Sequence, residues 1–273
     1  MARVINQRPG RAGALILGAL PFVLLAAAYL VASDARLAVN PNDKLLPSLE
    51  SFGGAIERFA LQPDARRGTY LLWADTWASL LRLFLGLSVA TALGLAAGVA
   101  VGLLPVMRAA FAPFIAALSV MPPLAILPIL FIVFGLGELA KVVLIVFGIT
   151  PFLIRDLSFA VAGLPREQLV KAQTLGASSW QIVVRVVLPQ ILPRLVSALR
   201  LSLGPAWLFL IASEAIAATE GLGYRIFLVR RYLAMDVILP YVAWITLLAF
   251  LLDYLLQQLS HRAFRWLPGE QRA

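Results

Sequence analysis

Two residue types that carry much of enzyme chemistry are almost missing from this sequence. It contains no cysteine and one histidine, His261. Without cysteine, disulfides, thiol nucleophiles, and zinc or iron–sulfur sites with cysteine ligands are excluded. A single histidine near the C-terminus also argues against the triads and histidine-based metal sites of most hydrolytic enzymes. We therefore expect no metal, no cofactor and no catalytic residue in this chain.

Charged residues are scarce as well. Only 14% of the 273 residues are charged and 61% are apolar, whereas a soluble domain carries about 25% charged residues. Such a chain suits lipid better than water. The net charge of +9 does not indicate nucleic-acid binding, because the Lys and Arg residues lie in short stretches between apolar runs and not on one polar face. We expect membrane lipid, and no nucleic acid, around this protein.

Long apolar runs are what the sequence has in abundance. Six of them approach the roughly 20 residues needed to cross a bilayer. They are residues 12–31, 78–104, 109–134, 139–154, 195–218 and 237–259. For the first run, a cleaved signal peptide is the alternative, although the run is long for that role. The pattern predicts an all-α membrane protein with about six transmembrane helices. We see no internal repeat, so a second copy is expected to complete a transport path.

The distribution of Lys and Arg predicts the side of the membrane on which each segment lies. With a cytoplasmic N-terminus, six spans return the C-terminus to the cytoplasm. The basic residues then predicted inside are Arg3, Arg8, Arg11, Arg108, Arg155, Arg166, Lys171, Arg185, Arg194, Arg262, Arg265 and Arg272; Arg225, Arg230 and Arg231 are exceptions on the outside. This divides the chain into an N-terminal helix with a periplasmic segment (1–75), a core of about five spans (76–262) and a cytoplasmic tail (263–273).

A polar segment, residues 33–75, is predicted on the outer side. Within it, apolar side chains recur at three- and four-residue steps, at Leu49, Phe52, Ile56 and Phe59. This spacing predicts a helix over 48–61, which Ser48 can cap. The helix either lies along the membrane surface or provides a docking surface for a soluble partner.

The predicted inner loop, residues 160–193, is the most informative stretch. Pro165 stands where a helix can begin, and Gly176 permits a backbone turn that other residues resist. Ser178 or Ser179 can cap a second helix, predicted over 180–188 and ending at Pro189. The pattern predicts two helices joined by a tight turn, a rigid projection suited to transmitting force between subunits.

This loop resembles that of the permease subunits of binding-protein-dependent ABC importers, in the nitrate, sulfonate and taurine branch. Their loop carries Glu-Ala-Ala, then Gly, then Leu-Pro further along. The matching positions here are Val170, Lys171, Ala172, Gly176, Val187, Leu188 and Pro189. Val170 and Lys171 replace the Glu and the first Ala, whereas residues 174–178 and 186–189 match well.

Three further segments carry the same resemblance in the same order. They are PPLAILP at 122–128, FGLGE at 134–138 with Lys141 after it, and Glu214 followed by GLGY at 221–224. The resemblance covers about residues 76–262. It implies an importer-type permease fold with a cytoplasmic coupling helix, in the bacterial inner membrane.

The resemblance also implies partners. The sequence has no G-x-x-x-x-G-K-[ST] motif, so ATP hydrolysis is expected on separate ATP-binding ABC subunits, which dock at about 168–179. The expected ATPase-coupling residues are Val170, Lys171, Ala172, Leu175, Gly176, Ala177 and Ser178. A periplasmic or lipid-anchored solute-binding protein and a second permease copy complete the implied assembly. A secondary transporter or channel without an ATPase partner is the alternative.

Seven residues are candidates for lining or gating the path. Prolines in a span free backbone carbonyls, ionisable residues in a span usually face its protein interior, and paired glycines favour a loop. The candidates are Pro122, Pro123, Pro128, Arg200, Glu214, Gly221 and Gly223. A packing kink, pairing with another span and a plain turn are the structural alternatives. The implied solute is small and polar, either nitrate-, sulfonate- or taurine-like or of the guanidinium or urea type.

Overall fold

A computed structural model describes residues 9–41, 43–65 and 68–266. Among these residues there is no β-strand, and helices make up most of the chain. The predicted all-α fold is therefore confirmed. The basic residues Arg3, Arg8 and Arg272 and residues 267–273 of the predicted tail lie outside the described residues.

The helices follow one another with short connections. In chain order they are α1 Arg11–Val39, α2 Leu49–Ile56, α3 Leu71–Leu103, α4 Pro105–Val120, α5 Pro123–Phe134, α6 Glu138–Ala162, α7 Arg166–Thr174, α8 Ser179–Ile182, α9 Leu188–Ala217, α10 Leu222–Arg230 and α11 Met235–Ala263. Two π-helical turns, Glu57–Leu61 and Val183–Val187, extend α2 and join α8 to α9.

Five helical stretches in the described part of the chain are long and apolar enough to cross a membrane. They are α1, α3, α6, the continuous stretch Ser179–Ala217, and α11. The fourth predicted span, 139–154, is longer than expected, because α6 runs for 25 residues. Lys141 does not shorten it, since its ammonium group is paired with Glu138 within the first turn.

The third predicted span, 109–134, is not one helix. α4 and α5 meet at an angle of 98°. Met121 and Pro122 between them have extended backbone, with ψ of 126° and 116°. The reason is local: a residue before proline is pushed out of the helical region, and proline has no N–H to continue the helix. The two helices are a broken span or a re-entrant pair, and counting them as one gives six spans.

Close packing of α3 on α6 forms the centre of the bundle. The α3 residues facing α6 are small and recur every fourth position, at Gly86, Ala90, Gly94, Gly98 and Gly102. A Cβ added at Gly94 would lie 2.6 Å from Leu153 Cβ, and one at Gly98 would lie 2.8 Å from Leu157 Cβ. Small residues at this spacing let two membrane helices approach closely, so the stripe fixes how α3 and α6 pack.

The first helix lies apart from this bundle. None of its most apolar 18-residue window is buried by the rest of the described chain. Its attachment is at the C-terminal end, where Tyr29 Oη donates to Pro47 O over 2.7 Å and Ser33 Oγ donates to Leu46 O over 2.9 Å. The segment that follows contains the helix predicted over 48–61, capped by Ser48 as expected.

The bundle has two ends with different character. α3 and α6 both run from one end to the other, beginning near Asp75 and Glu138. They finish beside an apolar cluster formed by Val99, Leu157, Val161 and residues of α8 and α9. Arg82 and Val99 are 17 positions apart in α3, about 25 Å at ~1.5 Å per residue. We call residues 166–182, at the second end, the elbow.

Candidate functional site

The turn of the elbow is fixed by its own backbone hydrogen bonds. Ala177 N donates to Ala172 O over 3.0 Å, and Gly176 N donates to Gln173 O over 2.9 Å. This pair of bonds is a Schellman motif, which needs a left-handed residue at the glycine position. Gly176 has φ +77°, and a Cβ added there would meet nothing within 4 Å. The requirement for glycine here is therefore conformational.

A capping box starts the second helix of the elbow. Ser178 Oγ accepts a hydrogen bond from Gln181 N over 3.3 Å, and Ser178 N donates to Gln181 Oε1 over 2.8 Å. Two orphan N–H groups are thus satisfied reciprocally. Of the two serines predicted to cap, Ser178 does so. The predicted end of this helix at Pro189 is wrong, because proline is tolerated in a first helical turn and α9 continues through it.

One side of the elbow packs against the bundle and the other is exposed. Leu169, Ala172 and Ala177 pack against the apolar cluster that includes Val187 and Ile191. By contrast, Val170, Leu175 and Trp180 are exposed by 54%, 79% and 74%. Large apolar side chains exposed together at the tip of a rigid projection are typical of a surface that binds another protein.

At the opposite end, Glu214 is completely buried and fully hydrogen-bonded. Its Oε1 accepts from Arg82 Nη1 over 2.7 Å and from Ser79 Oγ over 2.8 Å. Its Oε2 accepts from Gly223 N over 2.8 Å. A buried carboxylate of this kind is tolerated because its charge is matched and its lone pairs are occupied. Glu214 therefore joins α9 to α3 and to the start of α10.

Arg82 also contacts a second carboxylate, on α6. Its Nε and Nη2 both donate to Glu138, the latter over 2.9 Å. Lys141 Nζ donates to Glu138 Oε1 over 2.7 Å. The Arg82 and Lys141 side chains are 4% and 2% exposed, whereas that of Glu138 is 63% exposed. One exposed carboxylate thus contacts two buried cations, of which Arg82 also pairs with Glu214.

A fourth ion pair lies beside this group. Asp75 Oδ2 accepts from Arg225 Nε over 2.8 Å and from Tyr241 Oη over 3.2 Å, and Asp75 Oδ1 accepts from Gly221 N over 3.0 Å. Burial disfavours the charged form of Arg225, but the hydrogen bond and charge of Asp75 outweigh this and raise the pKa of the guanidinium above its usual value. Arg225 is therefore charged at every relevant pH.

These residues form one balanced group, which we call the charged cluster. It consists of three carboxylates and three cations: Asp75, Glu138, Glu214, Arg82, Lys141 and Arg225. Opposite charges that satisfy one another remove most of the cost of burying each one. The cluster holds together α3, α6, α9 and α10, and Tyr241 adds α11.

Gly221 and Gly223 occupy the turn that closes over the charged cluster. Gly221 has φ +129°, and a Cβ there would lie 2.6 Å from Glu214 Cδ. Gly223 was expected in the loop but lies in the first turn of α10. Its need for glycine is one of space, because an added Cβ would lie 2.8 Å from Ile211 O.

The remaining predicted path residues lie elsewhere. Arg200 makes a bidentate pair with Asp253 of α11, at 2.8 and 3.0 Å. It is thus not brought together with Glu214, and each of the two pairs with a different span. Pro122 and Pro123 form the corner between α4 and α5, and Pro128 lies inside α5.

Five members of the charged cluster were not predicted as site residues from the sequence: Asp75, Arg82, Glu138, Lys141 and Arg225. Arg82 and Lys141 carried the same signal as Arg200 and Glu214, namely an ionisable group within an apolar run. The sequence does not show which of these residues pair with one another, because partners such as Arg82 and Glu214 are 132 positions apart.

This chain is similar to known proteins in both sequence and structure. A family model described as binding-protein-dependent transport system inner membrane component matches residues 90–265. The chain is 39% identical, over 195 residues and 71% of each chain, to the taurine transport system permease protein TauC of Escherichia coli (strain K12). It is 32% identical, over 186 residues, to the bicarbonate transport system permease protein CmpB of Synechococcus elongatus, covering 67% of this chain and 66% of that protein.

A solved structure shows the same fold. The chain superposes with a TM-score of 0.62 and 22% identity on a chain of the MetNI methionine ABC transporter in an inward-facing conformation. The match covers 71% of this chain and 96% of that one. The matched family range contains the elbow, Glu138 and Glu214, whereas Asp75 and Arg82 precede it.

Proposed function

This chain belongs to the family of binding-protein-dependent transport system inner membrane components, and from that premise we propose how it works as the permease subunit of an ABC importer. The elbow receives movement from a separate ATP-binding subunit, and the spans carry it to the charged cluster at the other end. The solute crosses between this chain and a second copy of it.

The observation that carries this proposal is the construction of the elbow. Its fold is stabilised internally by a Schellman motif and a capping box, so it behaves as a rigid piece. Its anchored side is continuous with α9 through the π-helical turn. Its free side presents Val170, Leu175 and Trp180. A channel or secondary transporter would need neither the rigidity nor the exposed apolar tip.

The expected coupling residues divide by position in the elbow. Val170, Lys171, Leu175 and Ser178 are exposed and are the ones available to an ATP-binding subunit. Ala172 and Ala177 anchor the turn, and Gly176 permits it. A push on such a body is transmitted as a rigid-body movement of the attached helices.

The orientation in the proposal follows the distribution of basic residues. The elbow and both termini lie in the cytoplasm, and the charged cluster lies on the periplasmic side, where a solute-binding protein delivers the solute. We propose the same division of the chain as the sequence predicted: an N-terminal part (1–75), a core (76–262) and a tail (263–273). The proposed moving parts of the path are the corner at Pro122 and Pro123 and the turn at Gly221 and Gly223. Pro128 lies inside α5, and the Arg200–Asp253 pair holds two spans together.

The proposed solute is small and polar. The relative from Escherichia coli is named for taurine and the one from Synechococcus elongatus for bicarbonate. Both contain an acidic group. This supports a nitrate-, sulfonate- or taurine-like solute over one of the guanidinium or urea type.

Isolation of the complex tests the docking surface. We expect Leu175→Glu to lose the ATP-binding subunit, because it places a charge on an apolar surface that becomes buried on docking. The tagged chain is solubilised in mild detergent with co-expressed ATP-binding subunit, and the amount retained is measured. The expected loss is at least about tenfold, the effect of ~1.4 kcal/mol.

A matched substitution at the other end of the molecule is the control. Leu45→Glu makes the same chemical change at an exposed apolar residue of the outer segment and should retain the subunit fully. Retention by both variants, or by a chain lacking residues 168–179, would show that the elbow is not the docking site.

A further inference from the structure

Glu138 is the most exposed carboxylate of the charged cluster, with 63% of its side chain accessible. Glu214 is sealed in, with no exposed surface and three donor groups around it, from Ser79, Arg82 and Gly223. Glu138 has its outer side open. Its hydrogen-bond partners in the cluster are the two cations, Arg82 and Lys141. Asp75 is buried as well, at 1% exposure, so Glu138 is the one exposed carboxylate of the three in the cluster.

The backbone around Glu138 favours movement of this carboxylate out of the cluster. Glu138 is the first residue of α6 and follows the segment Gly135-Leu136-Gly137, in which Gly135 has φ +75°. A Cβ added at either glycine would meet nothing within 4 Å, so the segment has free space around it. Two glycines in an open connection give the chain freedom to rotate.

The site that Glu138 would leave behind is suited to an anion. Arg82 supplies two donors in a planar fork, which matches an oxyanion, and Lys141 supplies a third. The first turn of α6, a 25-residue helix, has no side-chain cap at its start, so its N–H groups and dipole add to the positive potential.

Charge balance distinguishes an anion from a cation at this place. When an anion replaces the Glu138 carboxylate, the number of opposite charges around Arg82 and Lys141 stays the same. When a cation draws Glu138 away, Lys141 is left buried without its counter-charge, which is strongly unfavourable. The arrangement therefore favours anion exchange over cation capture.

We propose that Arg82 and Lys141 form an anion-binding site of the transport path, which Glu138 fills in this conformation and which the acidic group of a solute fills during transport. The inference rests on the proposed function, because it assumes that solute reaches this end of the bundle. It assigns Glu138 the role of a tethered stand-in, keeping two buried cations neutralised when solute is absent.

Binding of a simple sulfonate tests the exchange. The full chain in lipid nanodiscs is titrated with radiolabelled methanesulfonate at constant ionic strength. We expect Glu138→Ala to bind at least about tenfold more tightly than the unmodified chain, since a tethered competitor acts at an effective concentration of order mM or more. Adding Lys141→Gln to that variant should abolish the gain.

Charge-matched and shape-matched variants complete the test. Asp236→Ala removes another carboxylate, one that contacts the exposed Arg58, and should leave methanesulfonate binding unchanged. Glu138→Gln keeps the side-chain size and should show a smaller gain in the same direction. If Glu138→Ala does not fold, the methanesulfonate affinity of Glu138→Gln alone tests the proposal.

Two results would overturn the proposal. One is equal methanesulfonate affinity in the unmodified chain and both Glu138 variants; the other is guanidinium binding that is lost when Glu138 is replaced. Retention of the ATP-binding subunit is measured on the same preparations. Normal retention of the ATP-binding subunit together with unchanged anion affinity would reject only the anion site. Failure of the elbow to retain that subunit would instead count against the proposed function.

Discussion

At the scale of single residues, the charged cluster shows how a mostly apolar chain carries ionisable groups inside its bundle. Glu214 is 0% exposed, and each of its oxygens accepts hydrogen bonds from a neighbour on another helix or from the α10 backbone. The residues of the cluster lie on four helices and Tyr241 adds a fifth, so the cluster holds the end of the bundle together only as a set. Removing one member leaves a buried partner with fewer opposite charges around it.

Loss of Glu214 should destabilise the protein more than loss of any other member of the cluster. We expect Glu214→Ala to lower the free energy of unfolding by about 3–5 kcal/mol, because Arg82 loses its buried partner while Gly223 N and Ser79 lose an acceptor. Thermal unfolding of the purified protein in detergent measures the effect.

The same change at an exposed glutamate provides the comparison. Glu57→Ala removes a side chain that accepts one hydrogen bond, from Gln62 Nε2 over 3.2 Å, and should alter the stability by no more than about 0.5 kcal/mol. Similar losses in the two variants would mean that the cluster does not hold the helices together.

At the scale of helices, the small-residue stripe of α3 determines the packing of the bundle. Each glycine of the stripe meets a larger residue of α6, such as Ile145 at Gly86 and Val161 at Gly102. In a bilayer the association of helices depends on close packing and not on release of water. Loss of the stripe therefore separates the two helices that connect the elbow end to the charged cluster.

A single methyl group on this stripe should be costly. We expect Gly94→Ala to destabilise the protein by about 1–3 kcal/mol, since the added Cβ would overlap Leu153 Cβ at 2.6 Å and α3 or α6 must shift. The melting temperature in detergent reports the change.

Gly18 in α1 is the matched position, because a Cβ added there would meet nothing within 4 Å. Gly18→Ala should leave stability unchanged or raise it slightly, as alanine favours a helix more than glycine does. A loss at Gly18 equal to that at Gly94 would contradict a specific role for the stripe.

The elements that could be predicted from sequence are those that depend on local chemistry. The elbow follows from Gly176 and Ser178, and the corner of α4 and α5 lies where Pro122 and Pro123 break the helix, although one bent span was predicted there. The continuation of α8 into α9 was not predicted, because proline also marks helix ends. The ion pairs of Glu214 and Arg82 depend on how distant spans pack, which periodicity does not reveal.

At the scale of the whole molecule, two rigid ends are joined by long helices. The elbow is attached to α9, whose other end carries Glu214, so a displacement of the elbow is transmitted to the charged cluster along one continuous helix. α6 runs beside it from Glu138 to the apolar cluster at the elbow. Coupling between the elbow and the charged cluster therefore requires the two ends to lie on opposite sides of the membrane.

The absence of native cysteine makes that arrangement directly measurable, because a single introduced thiol is the only one in the chain. Thr174→Cys places a thiol in the exposed part of the elbow and Ser51→Cys places one in the exposed α2. Intact cells are treated with a membrane-impermeant maleimide, before or after permeabilisation. We expect Ser51→Cys to react in intact cells and Thr174→Cys to react only after permeabilisation. Labelling of Thr174→Cys in intact cells would contradict the account, because the elbow would then lie on the side where no ATP-binding subunit can reach it.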